Sequence, residues 1–349
     1  MSQQKRKTAK EIITSYAGPK IRMMEVCGTH THEIFRLGIR KILPEQIELI
    51  SGPGCPVCVT PVGYIDEAIM LAVDKGAVVC TFGDLMRVPG TEMSLAGARA
   101  KGAKTQIVYS PIDAVEYAKN NPDEQVVFLS VGFETTTPAS CLAVQRAIDE
   151  KLENFSILTA NKTMPSAYEA LKGSADVFLF PGHVCAITGT KLYDEIKNEG
   201  ISGVVAGFTA NELLTAIAVA ITKFEKGEPF FVNCYPRVVK EEGSPGAQKL
   251  VENLMQPCDS EWRGLGEIPQ SGMRLRDEYA QYDARKKFHM RRIEGRSNPA
   301  CRCGDVLQGK CKPSDCKVFG RGCTPQHPIG ACMVSNEGAC SAYYQYGGI

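Results

Sequence analysis

Cys55-Pro56-Val57-Cys58 follows Gly52-Pro53-Gly54. Two thiols at that spacing can close a small redox disulfide or supply two ligands to one metal. Glycine and proline before and between the thiols suit a tight exposed loop more than a core strand, and a helix starting just beyond would favour thiolate. Cys27 stands before Gly28-Thr29-His30, with His32 close behind. A thiolate beside an imidazole is the minimum for a nucleophile with its base, or for a mixed sulfur–nitrogen metal site. Glu134 in Gly132-Phe133-Glu134-Thr135-Thr136, Asp84 in Phe82-Gly83-Asp84 and His183 in Pro181-Gly182-His183-Val184-Cys185 each offer a proton acceptor or a hydrogen-bond partner. The threonines ahead of Pro138 read as helix caps.

Fifteen cysteines are many for 349 residues, and they fall unevenly, eight from Cys27 to Cys258 and seven from Cys301 to Cys340. Dense cysteine in an intracellular chain of this size points to metal binding or thiol chemistry before structural disulfides. The last seven, Cys301, Cys303, Cys311, Cys316, Cys323, Cys332 and Cys340, form a C-terminal module. Structural zinc takes its ligands as two close pairs, and only Cys311 and Cys316 have such a gap. The corners of an iron–sulfur cubane can be met from separate loops, so the wide spacing favours a 4Fe–4S cluster over zinc.

Short β-rich runs must position these groups. Strands are expected near 23–26, 47–50, 77–81, 106–109, 125–130, 155–159, 177–180 and 204–207, with helical patterns at 64–75, 111–119, 138–151 and 210–226. Alternating strands and helices indicate an α/β fold with parallel sheets. Two α/β domains of about four strands each fit better than a single (β/α)₈ barrel, which strand count and length also permit. The expected division is an N-terminal extension over 1–20, a first α/β domain over 21–122, a second over 123–240 and a cysteine-rich region over 241–349. Every chemistry-bearing loop follows a strand, where ligands of open α/β sheets bind, so the loops should converge on one cleft.

Forty basic and 39 acidic residues leave a formal charge of +1, which gives no field for nucleic acid or anionic lipid. The basic run Arg285 to Arg292 reads as a solvated face. Hydrophobic residues at 44% and charged residues at 23% exclude a disordered chain. Residues 1–15 are polar and Lys-rich, without the pattern of a signal peptide, so a cytoplasmic location is expected. The apolar stretch 203–222 is interrupted by Thr209-Ala210-Asn211-Glu212, a capping box, and reads as a strand and a soluble helix rather than a membrane span. Phosphate loops, dinucleotide fingerprints, H-E-x-x-H and nucleophile-elbow serines are missing from the sequence.

The segments Cys27-Gly-Thr-His-Thr-His-Glu33, Gly52-Pro-Gly-Cys-Pro-Val-Cys58, Gly132-Phe-Glu-Thr-Thr136, Pro181-Gly-His-Val-Cys185, Cys323-Thr-Pro325 and Met333-Val-Ser-Asn-Glu-Gly-Ala-Cys340 together resemble the HypD family of NiFe-hydrogenase maturation proteins, over nearly the whole chain. The resemblance implies two Rossmann-like α/β domains with parallel sheets plus a C-terminal cysteine-rich iron–sulfur region. It also implies a scaffold that, with the small chaperone HypC, assembles the Fe(CN)₂CO unit of the hydrogenase active site. Cyanide would come from HypE, and the iron unit would pass on to the hydrogenase large subunit. Carried over by motif, Cys27 would hold the iron together with a HypC cysteine, and Cys55 and Cys58 would be a redox pair. His30, Glu134 and His183 would handle protons or support the ligands. For the 4Fe–4S cluster the expected ligands are Cys316, Cys323, Cys332 and Cys340, with Cys301 and Cys303 in reserve. Such a protein is a cofactor-assembly scaffold with redox activity rather than a free-standing metabolic enzyme, and a monomer until its complexes form.

Two other classes compete. An iron–sulfur thiol–disulfide reductase would need only Cys55, Cys58 and the cluster, and Cys27-Gly-Thr-His30 is superfluous to it. A zinc-stabilised α/β binding protein is separated by an assay for iron against zinc.

Overall fold

The computed structural model describes residues 7–347. Eleven strands occur among them: β1 (Ile21–Glu25), β2 (Ile47–Ser51), β3 (Val78–Thr81), β4 (Thr105–Ile107), β5 (Val126–Gly132), β6 (Phe155–Lys162), β7 (Val177–Pro181), β8 (Gly203–Ala206), β9 (Phe231–Asn233), β10 (Met255–Trp262) and β11 (Gly266–Leu275). The first eight lie where the apolar runs place them. β9 is only three residues long. β10 and β11 form an antiparallel hairpin with one wet face, and exposed positions break their apolar runs.

The strands make two sheets. One has the order β2-β1-β7-β8-β9 and is parallel throughout. The other has the order β10-β11-β6-β5-β3-β4, parallel from β6 to β4 and closed by the hairpin. Each sheet therefore takes strands from both sides of the expected boundary at 122/123. The chain begins the first sheet, leaves after β2 to build the second, returns for β7 to β9, and then adds the hairpin to the second. Pairing is a long-range choice that local patterning does not encode.

Within the first sheet the strands run 2-1-3-4-5 in their own numbering, the flavodoxin-like order. Order reverses between β1 and β7, and loops leaving those two strands diverge to open a crevice. Expected helix signals are realised. Thr209 and Glu212 form a reciprocal capping box for the helix Ala210–Phe224, and Ser110 with Asp113 does the same for Pro111–Asn120.

A buried cluster joins the two sheets and the tail: Met24, Val26, Phe178 and Phe180 from the first sheet pack with Phe133, Trp262, Leu307 and the cysteines 55, 58, 185, 303 and 332. Trp262 stacks on Phe133 at 5.8 Å, and its indole N–H donates to Ser271 Oγ at 2.7 Å, so the large ring is buried without an orphaned donor. The C-terminal region is a run of short helices and turns, ending in the helix Ala339–Tyr346, which lies on the helix Gly28–Arg36 with Tyr343 edge-on to Phe35 at 4.4 Å. Among the described residues no helix is long and apolar enough to cross a membrane.

Candidate thiol and imidazole site

Cys27 follows Val26 after β1 and is the N-cap of the helix Gly28–Arg36, and His183 lies in the first turn after β7. They therefore flank the crevice where the strand order reverses, and Cys27 Sγ lies 4.0 Å from His183 Nε2. The close approach depends on glycine. A Cβ on Gly54 would lie 2.1 Å from the Cys27 backbone nitrogen, and one on Gly28 would lie 2.4 Å from the Glu337 carbonyl oxygen. Glu337 also accepts from Thr29 Oγ1 at 2.8 Å, so the tail closes over the start of this helix.

Burial pushes the Cys27 thiol up to about 12, although the N–H groups of His30 and Thr29 at the helix start pull the other way. An unliganded Cys27 is thus a neutral thiol at pH 7. His30 is fully buried, and burial, helped by His183, holds its imidazole down at about 4. Its Nε2 is 3.0 Å from the Gly207 carbonyl. A carbonyl only accepts, so Nε2 carries the proton and the buried Nδ1 is a free acceptor without a partner. Phe208 is sandwiched between the two imidazoles, 4.8 Å from His30 and 5.0 Å from His183, and burial lowers His183 as well.

Glu134 enters from the second sheet, just after β5. Its Oε1 accepts from the Met164 N–H at 2.8 Å, while its Oε2 is buried with no partner. Burial raises this carboxyl to about 7. It faces Tyr168 and Cys185, which in turn face Cys27. Cys185 is wholly buried with Tyr193 beside it, and burial lifts its thiol to about 12.

Cys55 caps the short helix Pro56–Val59, its Sγ accepting from the Cys58 N–H at 3.3 Å. Cys58 has no exposed surface, and burial holds its thiol protonated, with Cys332 beside it acting in the opposite direction. From Cys58 a series of thiols leads outward: Cys332 faces Cys58, Cys303 and Cys340, Cys303 faces Cys301, and Cys323 faces Cys340 and Cys301. Cys316 stands at the edge, its thiol 3.7 Å from the carbonyl of Ala300. Among the described residues no three His, Cys, Asp or Glu side chains close on one point as a mononuclear site requires. The donor set of the tail is thiol alone, gathered from several loops, and such a soft, distributed set suits an iron–sulfur cubane.

The expected residues Cys27, His30, His183 and Glu134 share one neighbourhood, and Cys55 and Cys58 open onto the tail thiols. Asp84 stays outside it, in the turn Gly83–Arg87 after β3, with no hydrogen bond to the crevice among the described residues. His32 points the other way, toward the Asn336 carbonyl at 3.4 Å and the Tyr346 hydroxyl at 3.4 Å. Sequence reasoning marked the loops that carry Cys185 and Phe208 but gave those two residues no role, and it missed Tyr168 and Tyr193. Cys185 was signalled by its place two residues after His183, and Phe208 by the loop after β8. The tyrosines carry no local signal.

A buried thiol with two neutral imidazoles at a sheet switch point, backed by two close cysteines and a thiol-rich tail, is a set of side chains whose chemistry suits soft metals and thiol redox. The chain belongs to the HypD family: the family profile described as "Hydrogenase formation hypA family" matches residues 3–347. It is 43% identical over 343 residues to the hydrogenase maturation factor HypD of Cupriavidus necator, covering 95% of this chain and 90% of that one. Similar relatives are the HypD proteins of Rhodobacter capsulatus, 44% identical over 96% and 92% of the two chains, and of Escherichia coli, 44% identical over 93% and 89%.

Proposed function

We propose that this protein is a cytoplasmic hydrogenase maturation factor that, with a HypC-type chaperone, holds the iron of the Fe(CN)₂CO unit on Cys27 while its ligands are installed. In this reading HypE delivers cyanide, and the finished unit reaches the hydrogenase large subunit. The observation that carries it is the position of Cys27, buried at the switch point and 4.0 Å from His183 Nε2.

The iron unit is cargo, and the residues around it do the following work. Cys27 gives up a proton when it takes iron, because its thiol is neutral beforehand. His183 Nε2, a neutral imidazole nitrogen, stands ready to receive that proton. His30 Nδ1 is free to accept a hydrogen bond inside the crevice, and the buried Glu134, titrating at about 7, changes protonation state near neutrality. Cys55 and Cys58 cycle between disulfide and dithiol, supplying two electrons and two protons per cycle.

A 4Fe–4S cluster, when bound by the tail, supplies electrons one at a time. Its ligands in this proposal are Cys301, Cys316, Cys323 and Cys340. Cys332, an expected ligand, meets Cys340 as well as Cys58 and Cys303, but it is 1% exposed and lies against the dithiol, so in this proposal its place goes to Cys301. Cys301 also meets Cys303, but it has Cys323 in its surroundings and adjoins Ala300, whose carbonyl meets Cys316. Cys332 and Cys303 then bridge the cluster and the dithiol.

Anaerobic purification together with a HypC protein, followed by iron and sulfide analysis and infrared spectroscopy, tests the reading. Cyanide and CO stretches on a complex containing about four cluster irons, with a further one for the unit, are the expected result. A zinc protein without sulfide, or a complex without diatomic ligands after co-expression with the maturation partners, refutes it.

A further inference from the structure

One branch of the thiol series reaches the surface at Cys301. A cleft of about 910 Å³ lies there, between the segments 87–94, 296–304 and 326–330, and Cys301 and Cys303 line it. Cys301 is partly exposed, whereas Cys303, Cys332 and Cys58 are 5%, 1% and 0% exposed, so burial deepens step by step toward the dithiol.

The rim of this cleft is positive. Arg87, Arg263 and Arg296 line it against one carboxylate, Glu92, which pairs with Arg296 at 3.1 Å. Arg87 reaches only the carbonyls of Pro325 and Val334, and Arg263 that of Thr60. Neither guanidinium meets a carboxylate among the described residues, and Arg263 Nη2 is buried with no partner at all. With a formal charge of +1 on the whole chain, this is a local field rather than a general one.

We propose that the cleft is the electron-entry face of the protein, a docking surface for a small acidic protein carrying a one-electron centre. This rests on the cluster reading above. Arginines contributed by three separate segments match an extended acidic face rather than a single bound anion. A small dithiol would have to reach Cys55 and Cys58, which do not line this cleft. Each docking passes one electron from the reduced carrier to the cluster and leaves the carrier oxidised by one. Two dockings and two solvent protons convert a Cys55–Cys58 disulfide into two thiols.

The test follows cluster reduction in the full chain by stopped-flow absorbance, with a reduced acidic 2Fe–2S ferredoxin and, separately, with the cationic methyl viologen radical. The ferredoxin rate constant should fall about tenfold between low and high salt, and about tenfold at low salt in an Arg87→Glu/Arg296→Glu variant. Reduction by viologen should be as fast in that variant or faster. Arg296→Glu alone changes a side chain that is 80% exposed, and should slow the ferredoxin by a smaller factor without disturbing the fold. Ferredoxin rates indifferent to salt and to both variants, or reduction by viologen alone, overturn the docking face while leaving the cluster in place. A chain that holds no iron or sulfide before the kinetics begin overturns the cluster reading and this proposal with it.

Discussion

Cys27 sits at the end of an all-parallel five-stranded sheet and starts a nine-residue helix, whereas Cys303 and Cys332 ride on helices of five and four residues with a three-residue turn between them. Sheet and helix backbones satisfy their own hydrogen bonds, so the crevice is built whether or not it holds cargo. Helices that short are not stable alone, and the tail is held by contacts with the sheets and by whatever cross-links its thiols. In the proposed reading, one region is a preformed socket for a passing ligand, and the other a shell that depends on a resident one.

The largest expected effect breaks the second half of that comparison. Cys323→Ala or Cys340→Ala should remove the visible iron–sulfur absorbance and lower the thermal midpoint of the tail, read by hydrogen exchange over 301–346, with the sheets still protected. Cys332→Ala should keep the absorbance but stop electron transfer to the dithiol. Bleaching by Cys332→Ala together with survival in Cys301→Ala would return Cys332 to the ligand set.

Next in size is Gly54→Ala. Its Cβ would lie 2.1 Å from the Cys27 nitrogen, so the loop after β2 must move away from β1. Denaturant unfolding should show a loss of roughly 2–3 kcal/mol, and the crevice should lose its ligand affinity while the cluster remains. An unchanged midpoint would mean that the crevice is less rigid than its backbone packing implies.

Glu134 gives a smaller, pH-dependent effect. Its folded pKa of about 7 lies above that of an exposed carboxyl, so the folded state holds the proton more tightly. Stability is therefore greatest at low pH and falls as pH rises from about 4.5 toward 7, then levels off. Glu134→Gln, which keeps an acceptor for the Met164 N–H, should remove that slope and gain about 1–3 kcal/mol at pH 8 relative to the parent. Identical pH profiles for the two proteins would rule out the buried carboxyl. The smallest effect is a control remote from both regions: Ser110→Ala breaks a capping box on the second sheet and should cost about 1 kcal/mol, without altering cluster absorbance or crevice binding.

What was legible in the sequence follows the same divide. The loops bearing Cys27, Cys55, Glu134 and His183 could be read because each follows an apolar run, and the carboxyl ends of parallel strands are where α/β sheets expose backbone to ligands. The partition of strands between sheets could not be read, since β7 pairs with β1 across more than a hundred residues and nothing local distinguishes it from β5 or β6. The tail thiols were legible as a module, but spacing alone does not say that Cys332 reaches Cys58 or that Cys301 lies by Cys323. Tyr168 and Tyr193 became functional candidates only through burial beside Cys185 and Glu134.

The proposal that Cys27 is the iron anchor is tested most directly by the infrared spectrum of the Cys27→Ala protein in complex with the proposed HypC-type chaperone. Cyanide and CO stretches should be absent from that complex, while the iron–sulfur absorbance and the folded state persist, because neither the sheet hydrogen bonds nor the tail thiols include this side chain. A Cys27→Ala complex that still shows those stretches, and still matures hydrogenase, contradicts the account and shifts the anchor to Cys55 and Cys58.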